Sequence, residues 1–472
     1  MTTLFSRLTS LAMPLLLATP VLSATQDVTE AKLLLKTGEP AQALAILKGL
    51  VKESPKNGSL NMLIGDCYVA MDSTAKAISA YRDAQKKGEN DAWLSLAQLA
   101  INDYRIQDAE DDLALYRKGL KKGRKLLPDN SGDIEQLLTR TRNMLDRVEK
   151  VVIIDSVSVD VQDFFKYYHL SRDCGQLLSP QQIQPAFNAA EPSVAYISPD
   201  GQELIWATED SAMTVGLVSS SQLYGGEWEL PASLGSQLNE GGDANYPFML
   251  NDGVTLYFAN DGENSLGGYD IFISRRNDNG EFFQPQNIGM PYNSPYNDYM
   301  LAIDEQNGVG WWATDRNHIP GKVTIYTFIP SDMRVNYNVD DPMLASYARI
   351  DSYRDTWQDN AGYSALLNRI KNSAAENESE AKPEFFFSVP GRGVLTSIDQ
   401  FRNREAKSLM HSYLTQLDDY KEMCEALENY RRVYAKGDHS VADDILKLEK
   451  QKATGMESLK KLKNQIIKAE MK

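Results

Sequence analysis

A phrase written three times constrains this chain more than any other feature. Ser198-Pro199-Asp200-Gly201 leads into Leu204-Ile205-Trp206-Ala207, Asn251-Asp252-Gly253 into Leu256-Tyr257-Phe258-Ala259, and Gln306-Asn307-Gly308 into Trp311-Trp312-Ala313. Each copy couples a turn, built from residues that tolerate positive φ, to an apolar strand. The closing alanines, Ala207, Ala259 and Ala313, stand 52 and 54 residues apart. That is the spacing of a repeated β unit such as a propeller blade, and not of chance alternation.

The rest of the chain is too long for one core: 472 residues imply roughly two to four domains. With 42% apolar and 24% charged residues the composition is that of folded protein. A formal net charge of -16 argues against nucleic acid or an anionic membrane as the main target, since either needs clustered Lys and Arg. Protein, glycan or a basic surface remain as partners.

The N-terminus joins Arg7 to an apolar run from Leu8 to Leu22 and small residues at Ser23 and Ala24. This reads as a cleavable secretory signal, residues 1–23, cut after Ser23 or after Ala24. Pro14 and Pro20 interrupt the run, which is short for a bilayer span, and no Cys stands near the cut. Elsewhere no stretch is apolar enough to cross a membrane, so the expectation is an exported soluble protein. Cys67, Cys174 and Cys424 are far apart and odd in number. They read as small, partly buried residues, against the alternative of a disulfide or reactive thiol, the bridge being Cys67 to Cys174 in an oxidising compartment.

Residues 25–148 carry a helical pattern with a period close to 34 residues. Ile64, Gly65 and Tyr68 followed by Ala77, Tyr81 and Ala84 form the clearest copy. Ala31, Leu34, Ala43, Leu47 and Leu50 precede it, and Trp93, Leu96, Ala97, Ala100, Ala109, Leu113 and Tyr116 follow. Small residues at Gly65 and Ala77 let antiparallel helices approach, while Tyr81 and Ala84 fill the contact with the next pair. The pattern is similar to the tetratricopeptide signature, which implies about three helix pairs closed by a capping helix near Ile134 to Val148. No proline stands at Glu89 or Lys121, where that signature ends its helices. A stack of this kind serves either as a docking groove for a peptide or protein, or as a spacer.

At Val151 the period changes to two, with Val157, Val159 and Val161 alternating, and an aromatic cluster follows at Phe164, Phe165, Tyr167 and Tyr168. The cluster either packs a domain junction or stacks a sugar or peptide. After the second repeat copy comes Gly267-Gly268-Tyr269-Asp270-Ile271, then Asn277-Asp278-Asn279-Gly280, Pro285, Asn287-Ile288-Gly289, Pro291 and Asn293-Ser294. This succession resembles the TolB-like propeller repeats of Gram-negative envelope proteins, clearest over 191–328, and implies a β-propeller over 151–401. Asp270 reads as an acceptor for backbone amides; the competing reading joins it to Asp261 and Asp278 in a calcium site, without the alternating acidic spacing such a loop needs. Glu384 to Val389 and Gly393 to Thr396 read as further strands, residues 371–383 as a mobile loop, and the number of blades stays open.

From Glu405 to Lys472 the period is helical again. Met410, Tyr413, Leu417, Tyr420, Cys424 and Leu427 alternate by three and four, and Ile445, Leu448, Met456, Leu459, Leu462 and Ile466 follow a break at Lys436-Gly437-Asp438. This predicts an antiparallel hairpin, packed within the chain or open to oligomerisation through its exposed side. His169, His318, His411 and His439 are scattered, and neither a zinc motif, a Gly-x-Ser-x-Gly elbow nor a phosphate loop is present. The expectation is therefore a protein without catalytic residues, cofactor or metal.

The fold class expected is multidomain α + β: an N-terminal tetratricopeptide-like helical solenoid, a central β-propeller and a C-terminal antiparallel helical hairpin. Signal peptide, helical repeats and propeller repeats together resemble envelope proteins that, in some relatives, continue into an OmpA-like domain and act in outer-membrane or type IX secretion assemblies. Here a helical hairpin stands in place of that domain. The resemblance implies a periplasmic scaffold, associated with the outer membrane, docking protein partners; the alternative is a glycan or small-ligand sensor using the propeller mouth. Trp311, Trp312 and Asp270 are the candidate contact residues.

Overall fold

The computed structural model describes residues 19–123, 129–184, 187–210, 212–222, 228–277, 279–331, 333–357, 362–368, 370, 385–389 and 392–472. Residues 1–18 of the expected signal peptide and the loop expected at 371–383 lie outside them. The chain divides into two compact units, Met1–Arg142 and Asn143–Lys472.

The first unit is a stack of helices: α1 (Thr19–Lys36), α2 (Pro40–Glu53), α3 (Gly58–Ala70), α4 (Thr74–Lys86), α5 (Ala92–Asn102), α6 (Ile106–Lys122) and α7 (Gly132–Leu145). From α1 to α6 each helix packs on the next, and α1 also reaches α3; α7 joins the stack through Leu138. Gly65 explains one close approach, because a Cβ there would lie 2.3 Å from the Tyr81 ring. The ring is fixed in turn by its hydroxyl, which donates to Asp66 Oδ1 at 2.7 Å. Where a proline is missing at position 89, Gly88 ends α4 instead. Its φ of 90° lets Gly88 N–H donate to Gln85 O and Glu89 N–H to Ala84 O, at 3.0 and 3.1 Å, the paired bonds of a left-handed helix stop. The expected residues form the seams: Ala43, Leu47 and Leu50 with Ile64, then Ala77, Tyr81 and Ala84 with Leu96, then Ala97 and Ala100 with Ala109, Leu113, Tyr116 and Leu138 of α7.

Among its described residues the second unit holds three antiparallel sheets of four or five strands, besides a two-stranded ribbon. The strands of the sheets are β1 (Val152–Asp160), β2 (Gln176–Leu178), β3 (Ala195–Ile197), β4 (Glu203–Glu209), β5 (Val215–Ser221), β6 (Ala232–Ser233), β7 (Ala244–Met249), β8 (Thr255–Asn260), β9 (Asp270–Arg275), β10 (Gln286–Asn287), β11 (Asp298–Asp304), β12 (Val309–Thr314) and β13 (Lys322–Ile329). The orders are β2-β3-β4-β5-β6, β7-β8-β9-β10 and β11-β12-β13-β1. One core cluster draws on all three, including Ile205 and Leu217, Phe248 and Phe258, and Trp311 and Ile325.

The three repeat copies occupy equivalent strands, β4, β8 and β12, and the alanines share one register. Ala207 faces Leu217, Ala259 faces Ile271 and Ala313 faces Ile325 on the following strand. An asparagine then grips the far edge of that strand. Asn239 Oδ1 accepts from Leu217 N–H and its Nδ2 donates to Leu217 O, at 2.8 and 2.9 Å. Asn293 does the same to Ile271, again at 2.8 and 2.9 Å. In the third sheet a strand replaces the side chain, for Val157 of β1 pairs with Ile325. A β strand from the start of the unit thus completes the sheet formed at its end.

Residues 387–395, expected among the strands of the 151–401 region, form a separate ribbon of β14 (Phe387–Val389) and β15 (Gly393–Leu395). It packs with α8 (Arg404–Ala435) and α9 (Ala442–Glu470). Phe387, Val389, Leu395 and Phe401 share one core with Met410, Tyr413, Leu459, Leu462 and Ile466. The base of this hairpin is closed by the Glu470 carboxylate, which pairs with Arg392 and accepts from the N–H groups of Arg402 and Asn403 at 2.7 and 3.0 Å. An anion beside the free amides that open α8 is favourably placed.

Candidate partner-docking surfaces

The helical unit carries its exposed chemistry on two kinds of helix. Val69 on α3 is exposed and Gln98 on α5 is half-buried, on the odd-numbered members that include the directly packed α1 and α3. The even-numbered helices carry acids. Burial, with Asp108 nearby, pushes the Asp112 carboxyl up to about 6 against the pull of Arg82 and Arg105. On α3, burial raises the Asp66 carboxyl as well, against the hydrogen bond it receives from Tyr81.

In the second unit a cleft of about 310 Å³ lies between the turns of the first two sheets and the C-terminal helices. Its floor comes from the Ser198 and Asn251 turns, with Tyr196, Met249 and Glu229; Phe386, Val394 and one face of α9 roof it. At the centre the Arg276 guanidinium grips Glu203 with two bonds of 2.7 and 3.0 Å and donates to Gly253 O at 2.6 Å. That fork geometry locks both side chains and ties the first sheet to the second. From α9, Lys460 donates to Glu229 at 2.9 Å, and Lys463 lies 3.8 Å from Asp200 and 3.4 Å from Gln202 Oε1.

The residues singled out from sequence lie elsewhere. Trp311 and Trp312 are 2% and 0% exposed. Trp311 belongs to the core between the sheets, 6.1 Å from the Tyr168 ring, whereas Trp312 packs among Tyr292, Tyr326 and Phe328 at 5.0 to 5.4 Å. With both indoles inside, neither offers a surface to a ligand, which corrects their assignment as contact residues. Asp270 is also fully buried; its Oδ2 accepts from Leu266 N–H at 3.1 Å and Asn287 Nδ2 at 2.6 Å, the structural work of an acceptor for a loop. The Phe164 to Tyr168 cluster turns inward, with Phe164 edge-on to Tyr299 at 5.4 Å and Tyr168 donating to Met300 O at 2.8 Å.

Cys67 and Cys174 are each free and buried. Burial pushes the Cys174 thiol up to about 12, far from the thiolate a nucleophile needs. Among the described residues no group of three or more His, Cys, Asp or Glu side chains is placed to hold a metal ion, and no helix is long and apolar enough to cross a membrane.

Sequence reasoning missed the cleft residues Arg276, Glu203, Lys460 and Lys463. One signal was present: Met456, Lys460, Lys463 and Ile467 recur by four, three and four, a second face of α9 beside the Leu459, Leu462 and Ile466 seam.

A tetratricopeptide repeat family model matches residues 34–100, from the end of α1 into α5. No curated protein matches the chain. Tetratricopeptide repeats form protein-interaction modules, so protein partners are implied for the helical unit.

Proposed function

We propose that this chain is a non-enzymatic scaffold or adaptor of the bacterial envelope, exported to the periplasm, that docks protein partners in an outer-membrane or secretion assembly. The observation that carries the reading is the stacked helical unit matched by the tetratricopeptide repeat over residues 34–100. Stacked helix pairs bury one face and offer another as a continuous binding surface. Export rests on the apolar run from Leu8 to Leu22 followed by Ser23 and Ala24. For the middle region the proposal is a propeller-like body, on the strength of three sheets in a common register and of β1 completing the last of them.

Site-specific photo-crosslinking in the native cell tests the docking reading. A photoreactive residue at Lys32, Val69 or Gln98, on the odd-numbered helices, is expected to capture one defined envelope protein, and the same residue at Lys48 or Arg82, on α2 and α4, is not. Equal capture from both sets, or none, overturns it. Export is tested separately by the N-terminus of the mature protein: mass spectrometry finds Ala24 or Thr25 first, or the periplasmic assignment fails.

A further inference from the structure

The hairpin does not need the cleft in order to fold. Its own core joins Leu459, Leu462 and Ile466 to α8 and the β14–β15 ribbon without a residue from the three sheets; Met456 and Ile467 pack against that core and also line the cleft, and Lys460 and Lys463 line the cleft alone. Contact across the cleft is polar at its centre, and the space of about 310 Å³ between floor and roof opens to solvent. The Lys460–Glu229 pair is open to water, at 56% and 33% side-chain exposure, and a pair of this kind is weak and screened by salt. Lys463 and Asp200 are more enclosed, at 30% and 12%, and stand 3.8 Å apart, too long for a direct hydrogen bond.

The floor, by contrast, is rigid. Asp200 is held by the Ser198 hydroxyl at 2.5 Å and by Gln202 N–H at 3.1 Å, and Glu203 is locked by Arg276. With Arg276 neutralising Glu203, the charge left for α9 to meet is that of two carboxylates, Asp200 and Glu229. Met249 and Leu250 flank them on the floor.

From this geometry we infer that the cleft is a receptor for a basic amphipathic helix of a partner protein, which α9 occupies in cis. The helix it fits carries two lysines three residues apart, with a large apolar residue four before the first and another four after the second, as Met456, Lys460, Lys463 and Ile467 do. A preorganised acidic floor gives such a helix its charge complement and register. The partner helix displaces the Lys460 and Lys463 face while the hairpin keeps its own core. This surface is separate from the helical repeats, and it stands or falls apart from docking there.

The test uses the full chain and a fluorescein-labelled peptide of residues 452–470, followed by anisotropy. In the native chain α9 competes with the peptide. K460E/K463E frees the floor, and peptide binding is expected to tighten tenfold or more, to weaken between 0.05 and 0.5 M salt, and to vanish when D200K/E229K is added. Binding by K460E/K463E no tighter than by the native chain overturns the inference, as does binding that survives D200K/E229K. Hydrogen exchange over residues 404–470 keeps the result decisive: protection of the hairpin persists in K460E/K463E, and its loss would show that the cleft holds the hairpin folded, which also overturns the inference.

Discussion

Replacing Asn293 by alanine should loosen the second sheet far more than the matching change at Asn239 loosens the first. Asn293 is fully buried and makes three bonds, to Ile271 N–H, Ile271 O and Asn287 Oδ1 at 2.8 to 2.9 Å. Two of these partners keep another bond after the change: Ile271 O still accepts from Ile288 N–H, and Asn287 Oδ1 from Gly289 N–H. Ile271 N–H is left orphaned inside the protein, which costs about 1–3 kcal/mol, with roughly 1 kcal/mol more for the lost bonds. A total of about 2–4 kcal/mol corresponds to amide exchange faster by roughly thirty- to several-hundred-fold over residues 270–275. Asn239 is only half-buried, so water can replace its amide, and the cost there falls to about 1 kcal/mol.

Local hydrogen exchange is the right assay for this comparison, since a chain of two units does not unfold as one two-state transition. Asn293→Leu separates the causes. It fills the space and still orphans Ile271 N–H, so it should lose protection nearly as Asn293→Ala does. If N293L restores native exchange, or if N239A and N293A behave alike, the bond accounting is wrong.

Three further outcomes follow from the packing and charge already described. Gly65→Ala places a Cβ 2.3 Å from the Tyr81 ring, so the ring must turn away from Asp66; a loss of about 2–3 kcal/mol is expected, read as a lower melting temperature of the helical unit and loss of crosslinking at Val69. Burial raises the Asp112 carboxyl from the ordinary carboxylate range to about 6, so the folded protein binds the extra proton between those values and this group's contribution to stability falls as pH rises through them; Asp112→Asn should raise the melting temperature at pH 7.5 and change it little at pH 4. Trp312→Ala empties a fully buried site and should cost about 3–5 kcal/mol, seen as faster exchange over residues 298–329, with no glycan able to restore it.

The repeats were legible because their periods are local. The 34-residue helical period and the alanines at 207, 259 and 313 each report a unit that recurs along the chain, and both reappear as helix seams and strand register. Pairing of β1 with β13 was not legible, since strands separated by more than 150 residues leave no period to find. The ribbon at 387–395 was read as strand and assigned to the wrong neighbours, because alternation reports a strand and says nothing of what covers it. Trp311 and Trp312 show the same limit more sharply. Adjacent residues of a strand point to opposite faces, but the sequence does not say what covers either face; every residue of β12 is buried, and the two indoles fill two different cores.

That double burial bears on where recognition can take place. Phe164, Tyr168, Tyr246, Tyr299 and Trp311 interlock among the inner strands, so the aromatic residues that might have suggested a sugar site are spent on holding the sheets together. What the sheets present outward are turns whose carboxylates are already oriented: Asp200 by Ser198, and Asp252 by the N–H groups of Val254 and Thr255 at 2.8 Å. Rigid acids on turns are better suited to reading the charges of a folded partner than to enclosing a neutral small molecule, because selectivity for the latter needs apolar enclosure around its polar groups. Protein partners are implied for the helical unit, and the cleft inferred above would give the chain a second, independently built surface for the same task.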